Sequence, residues 1–177
     1  MALPERLQPL KPTPSQWDAM SILLRTLEEQ IELNHEQENA AISTLIEQWN
    51  SLVGRPFEFD EFRDLHSHTN AEDFIRSTFH HERYVDDLSF EEACALARFV
   101  SHSEGDDSDV HYALKLLEIN FANAEASDLI FWPDDWFNDP DLLDVELTPQ
   151  EIVGYLMAKS GRRLADAPPI TLRYAMP

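Results

Sequence analysis

The sequence predicts an all-α fold, and three observations carry that reading. Helix-start signatures recur along the chain, and apolar residues follow them at three- and four-residue spacing. Only four glycines interrupt 177 residues, too few for a turn-rich all-β architecture. No segment alternates apolar and polar residues as a half-buried strand does, and no solenoid-length repeat occurs. The hydrophobic share of 43% is that of an ordinary globular chain. The expectation is therefore a single helical domain over residues 1–177, with six or seven helices in a compact bundle. Residues 1–87 supply N-terminal helices and 88–161 a second group, the latter with an acidic, aromatic-rich loop before the last helix. Residues 162–177 form a tail.

Taken in order, Thr13-Pro14-Ser15-Gln16 offers an N-cap threonine, a proline at the first helical position and a glutamine at the third. Trp17, Met20, Leu24, Leu27 and Ile31 then mark one helix face. Asn34 to Gln37 can cap a second helix, striped by Ile42, Leu45, Ile46, Trp49 and Val53 and stopped near Gly54 and Pro56. Shorter helices are expected at 57–66 and 70–80. Ser89 to Glu92 is a capping box ahead of Phe90, Ala93, Leu96, Ala97 and Val100. An acidic loop over 101–108 separates it from a helix at 109–121. Pro133 and Pro140 break the next stretch, which is expected as a loop. Thr148-Pro149-Gln150-Glu151 opens a last helix that Gly161 ends. The tail, with Pro168 and Pro169, is expected to be at best partly ordered.

Charge is the most informative bulk property. Thirty-four acidic residues face thirteen basic ones, for a net of −21. Between Tyr84 and Glu151, eighteen acidic residues meet only Arg98 and Lys115, a local net of −16. Such charge disfavours nucleic acid and anionic membranes and favours a cationic partner, a divalent metal or simply solubility. No window is apolar enough to span a membrane, the N-terminus lacks a secretory pattern, and Cys94 stands alone. A cytoplasmic protein is the expectation.

Catalytic and metal motifs fail on their details. His35-Glu36-Gln37-Glu38-Asn39 and His81-Glu82-Arg83-Tyr84-Val85 each lack the second histidine of a helical zinc site. No adjacent His-Asp pair exists to bridge two metals. Histidines 66, 68, 80 and 81 with Asp64, Asp73 or Asp86 leave a metal-dependent hydrolase as a minor alternative. No glycine-rich phosphate loop is present, and Asp106, Asp107 and Asp109 miss the glycine of a calcium loop. Cys94 sits among alanines on a core-facing stripe, where cysteine acts as a small apolar residue. The expectation is a protein without catalytic residues, metal or cofactor.

What remains is Ser127 to Asp144, SDLIFWPDDWFNDPDLLD, where six aspartates surround Phe131, Trp132, Trp136 and Phe137. Exposed tryptophans anchor interfaces, and aspartates beside them steer a basic partner. The bland alternative has the apolar residues in the core and the aspartates capping turns at Pro133 and Pro140. The expected partner-binding set is Asp106, Asp107, Asp109, Asp128, Trp132, Asp134, Asp135, Trp136, Asp139 and Asp141. Leu129 to Phe131 are expected to anchor the segment in the core, with Trp132 at the border.

The order LSFEEACALARFVS, an acidic loop, YALKLLEIN, SDLIFWPDDWF and ELTPQEIV also resembles small immunity proteins of bacterial toxin–immunity systems, of the contact-dependent growth inhibition and bacteriocin types. The resemblance covers about residues 88–161; the first 85 residues do not match it and read as a subgroup-specific extension. It implies a cytoplasmic, non-enzymatic inhibitor that binds one cognate toxin domain, often a nuclease with a basic cleft. A general acidic adaptor for another basic protein is the other non-enzymatic possibility.

Overall fold

The computed structural model describes residues 2–177. Among them are ten α-helices, two 3-10 turns and no strand, so the fold is all-α. The helix number exceeds the expected six or seven because one expected helix is split and one expected loop is helical. The chain packs as two compact units, Pro9–His81 and Glu82–Pro177, the latter with the N-terminal segment ending at Gln8.

The Pro9–His81 unit holds α1 (Pro14–Leu33), α2 (Ala40–Asn50), α3 (Phe59–Arg63), α4 (Leu65–His68) and α5 (Ala71–Ser77). Thr13 and Gln16 form the expected reciprocal cap with Pro14 at the first position. α1 buries Met20, Leu24, Leu27 and Ile31, the stripe that the sequence spacing marks. The chain leaves α1 through His35 and Glu36, both left-handed at φ 53° and 60°. The Glu36 amide there donates to the Ile31 carbonyl at 2.9 Å. The cap of α2 is consequently Asn39, whose side chain accepts from the Ile42 amide, and not the 34–37 segment. The helix expected over 57–66 breaks at Asp64, which ends α3 and opens α4. Trp49, Phe57, Phe62 and Phe74 pack ring against ring with centroids 5.3–6.1 Å apart. Asn50 fixes the intervening loop by accepting from the Phe57 amide and donating to its carbonyl, at 2.7 and 3.0 Å.

The Glu82–Pro177 unit holds α6 (Phe90–Ser101), α7 (Asp107–Asn120), α8 (Ala126–Phe131), α9 (Pro133–Phe137) and α10 (Pro149–Ser160). Both expected capping boxes form, Ser89 with Glu92 and Thr148 with Glu151. α6 and α7 enclose Leu96, Val100, Tyr112, Leu116 and Leu117, and α10 adds Ile152, Val153, Tyr155 and Leu156 to the same core. Leu3 and Leu7 close it from the N-terminal segment. Gly161, at φ +75°, ends α10 where a side chain would strain the backbone.

The tail is ordered by packing, contrary to the sequence expectation. The Tyr155 hydroxyl donates to the Tyr174 carbonyl and accepts from the Tyr174 amide, at 3.0 and 2.6 Å. The Arg173 guanidinium forks onto Glu151. Gly154 gives the tail its approach, because a Cβ there would lie 2.9 Å from Leu172 Cδ2. Further back, Arg162 donates to the Asn120 carbonyl and side-chain oxygen and to the Val85 carbonyl, joining α7 to the segment before α6.

Candidate functional site: an acidic aromatic surface

The 127–144 stretch, expected as a loop, is two short helices and a 3-10 turn. Glu125 is left-handed at φ 54° and starts α8. Trp132 is then the C-cap of α8 and the N-cap of α9. Pro133 cannot continue α8, but proline is favoured at a first helical position, so the chain restarts there. Asn138 turns left-handed to end α9, and Asp139 caps the 3-10 turn Pro140–Leu142 through the Asp141 amide.

These repeated starts explain the interleaving of aspartate and tryptophan. Asp128 lies in the first turn of α8, Asp134 and Asp135 in that of α9, and Asp139 and Asp141 at the 3-10 turn. Unpaired amides at such starts favour negative charge, by about 0.3–1 kcal/mol each on a well-formed helix. The aromatic residues fall at the helix ends. Asp107 and Asp109 occupy the first turn of α7, with Asp106 as its cap residue.

Successive residues of α8 point about 100° apart, so one face alone can enter the core. Leu129 takes it at 1% exposure. Ile130 is half-buried, while Phe131 and Trp132 stand out at 44% and 57%. The expected anchor of Leu129 to Phe131 is thus Leu129 with part of Ile130. Phe131, read as buried from its place in an apolar run, belongs to the surface; counting around α8 from Leu129 would have shown it.

Trp136 corrects the expected site in the other direction. It is 4% exposed, and its indole N–H donates to the Ala124 carbonyl at 2.8 Å. Its ring meets Phe137 and Tyr155 at centroid distances of 4.7 and 5.6 Å. The Lys159 ammonium lies 4.5 Å from its centroid. Trp136 is a core residue of this unit and cannot reach a partner without unfolding α9.

The expected aspartates are mostly at the surface. Asp106, Asp107, Asp128, Asp135, Asp139 and Asp141 are exposed, while Asp109 and Asp134 are half-buried. One Asp134 oxygen is shielded from solvent with no hydrogen-bond partner. Most basic residues of the unit are engaged elsewhere. Arg6 pairs with Asp87 and Glu92, Arg98 with Glu104, Lys115 with Glu118, Lys159 with Glu125 and Arg173 with Glu151. Among the described residues, Asp107, Asp128, Asp134, Asp135, Asp139 and Asp141 form no ion pair. Arg6 and Arg173, each with side-chain hydrogen bonds, hold Glu92 and Glu151 down at about 2.

A cleft of about 390 Å³ adjoins this surface, absent from the sequence reading. It places Ser101 and His102, at the end of α6, against Leu129 and Ile130 of α8 and the 145–149 segment. The end of α6, from which the loop bearing Asp106 departs, therefore lies beside Leu129 and Ile130.

The other candidate groups have local roles. His66 contacts Glu28 at 2.8 Å, and His102 Nδ1 lies 3.1 Å from the Arg98 carbonyl at the end of α6. No three His, Cys, Asp or Glu side chains among the described residues converge as a metal site. Burial pushes the Cys94 thiol up to about 11, opposing thiolate formation. No helix is long and apolar enough to cross a membrane. Neither a family profile, a curated protein nor a solved structure matches the chain.

Proposed function

We propose that this chain is an immunity-type protein that binds and neutralises a cognate bacterial toxin domain through the acidic surface of its Glu82–Pro177 unit. The observation carrying this reading is Trp132, 57% exposed among aspartates that no lysine or arginine of the unit neutralises. Large exposed aromatic residues supply contact area at small entropy cost, and unpaired carboxylates accelerate encounter with a basic surface. A nuclease cleft is basic because it must hold phosphate, so an acidic protein can occupy it or sit beside it and exclude nucleic acid. The proposed action is non-enzymatic and cytoplasmic, and it needs no metal or cofactor. The resemblance of residues 88–161 to immunity proteins points the same way.

The test uses a toxin-like domain encoded beside this gene, whose absence would itself count against the reading, purified and captured on a biosensor. Asparagine at positions 107, 128, 135 and 141 should slow association by about tenfold or more at low salt. Trp132→Ala should accelerate dissociation. Wild-type kinetics in both variants would sink the proposed surface. Equal binding to unrelated basic proteins would instead indicate a general adaptor.

A further inference from the structure

We infer that the cleft between α6, α8 and α10 is the anchor pocket of this surface, and that it accepts a partner's arginine or lysine side chain. The inference rests on the basic partner proposed above and adds where that partner is gripped. Ile130, Val145, Leu147 and Ile152 supply apolar walls, and Glu146, an exposed acid, stands among the lining residues. No lysine or arginine lines the cleft. A long side chain with a methylene stem and a cationic head matches both parts, the stem against the walls and the head toward Glu146. Its volume, about 390 Å³, is that of a small-ligand pocket and exceeds what one such side chain needs.

The surroundings favour a cation over a neutral occupant. Residues 84–151 carry a net of −16. The nearest guanidinium groups are already committed: Arg173 forks onto Glu151 while touching the Glu146 carbonyl, and Arg98 pairs with Glu104. Ile130 is followed in the chain by the exposed Phe131 and Trp132. His102 also lines the cleft, with its Nδ1 engaged at the end of α6.

The ligand titration itself needs no toxin. Full-length protein with labelled methyl groups is titrated by NMR with n-pentylguanidinium, and separately with n-pentanol and guanidinium. The expected result is saturable shifts at Ile130, Val145 and Ile152, with n-pentylguanidinium binding about fivefold tighter than either control. Glu146→Gln, an exposed change that leaves the fold intact, should bring n-pentylguanidinium down to the n-pentanol response. Equal responses to n-pentylguanidinium and n-pentanol in the wild type would overturn the cationic assignment. Shifts confined to other residues would overturn the cleft itself. Methyl shifts that follow protein concentration without ligand would make a second copy the occupant and overturn it equally. Loss of n-pentylguanidinium binding alongside slowed toxin association in the asparagine variants would remove the pocket and leave the proposed function. Intact n-pentylguanidinium binding without toxin association would do the reverse.

Discussion

Trp132 and Trp136 are four residues apart in one acidic stretch, yet their replacement by alanine should have opposite consequences. Trp136 is 4% exposed, and full burial of such a ring removes about 150–250 Å² from water. At about 25 cal/mol per Å² this corresponds to roughly 4–6 kcal/mol, an upper figure because unfolded chains already bury some area. Measured losses for Trp→Ala in cores run to about 3–5 kcal/mol. The variant also strips the Ala124 carbonyl of its indole donor and Lys159 of its ring. Trp136→Ala should therefore cost about 4 kcal/mol, moving a urea midpoint by about 2 M for a slope near 2 kcal/mol/M. Trp132, 57% exposed, should cost within about 0.5 kcal/mol. Urea unfolding by circular dichroism reads both. Acrylamide quenching gives a second view, because Trp132→Ala should remove the most accessible fluorescence and Trp136→Ala a shielded component. A Trp132→Ala cost above about 2 kcal/mol, or a Trp136→Ala cost below about 1 kcal/mol, would refute this division of the segment.

Two further outcomes follow from the polar ties of the same unit. Arg162→Ala removes donors from the Asn120 side chain and from the Asn120 and Val85 carbonyls. It should cost about 2–4 kcal/mol in urea unfolding, and Arg162→Lys should restore less than half, because an ammonium cannot fork in the same plane. Glu92 and Glu151 sit at about 2, against 4.5 for a free glutamate, through Arg6 and Arg173. Above 4.5 both are ionised in folded and unfolded chains, so their stabilisation is complete. Between 4.5 and 2 the unfolded chain takes up protons first, and stability is lost across that window. The double variant Glu92→Gln, Glu151→Gln should flatten this acid limb in a urea series run against pH; an unchanged limb would count against the pairing.

Local signals were legible in the sequence, and long-range ones were not. The caps at Thr13, Ser89 and Thr148 and the stop at Gly161 form as read, because each is settled within a few residues. The start of α2 was misplaced because His35 and Glu36 adopt left-handed backbone without glycine, and nothing local announces that. Pro133 reads as a break from one side and as a first helical residue from the other; only packing of Leu129 and Trp136 settles which. The tail was the largest miss. Its order depends on Gly154, Tyr155 and Glu151 in α10, more than fifteen residues from their partners Leu172, Tyr174 and Arg173. Within the candidate segment most aspartates lie at the surface, but Trp136 moved to the core and the cleft beside Ile130 had no sequence signature.

Helix starts account for where the aspartates stand, but not for why aspartate was used. The chain caps α1, α2, α5, α6 and α10 with neutral Thr13, Asn39, Asn70, Ser89 and Thr148, but α3 and α4 open on Glu58 and Asp64, and the first turns of α5 and α6 carry Glu72, Asp73, Glu91 and Glu92. Neutral caps satisfy the same amides without adding charge. Between 106 and 141 the starts likewise carry acid, here aspartate, in a unit where Arg6, Arg98, Lys115, Lys159 and Arg173 already serve Glu92, Glu104, Glu118, Glu125 and Glu151. Each added carboxylate raises self-repulsion in the compact state, a cost that solubility alone does not require to be concentrated. Charge concentrated in 84–151, in the same unit as exposed Phe131 and Trp132, is what supports the proposal that a basic partner completes this surface. In that view the partner supplies the cations that the fold withholds.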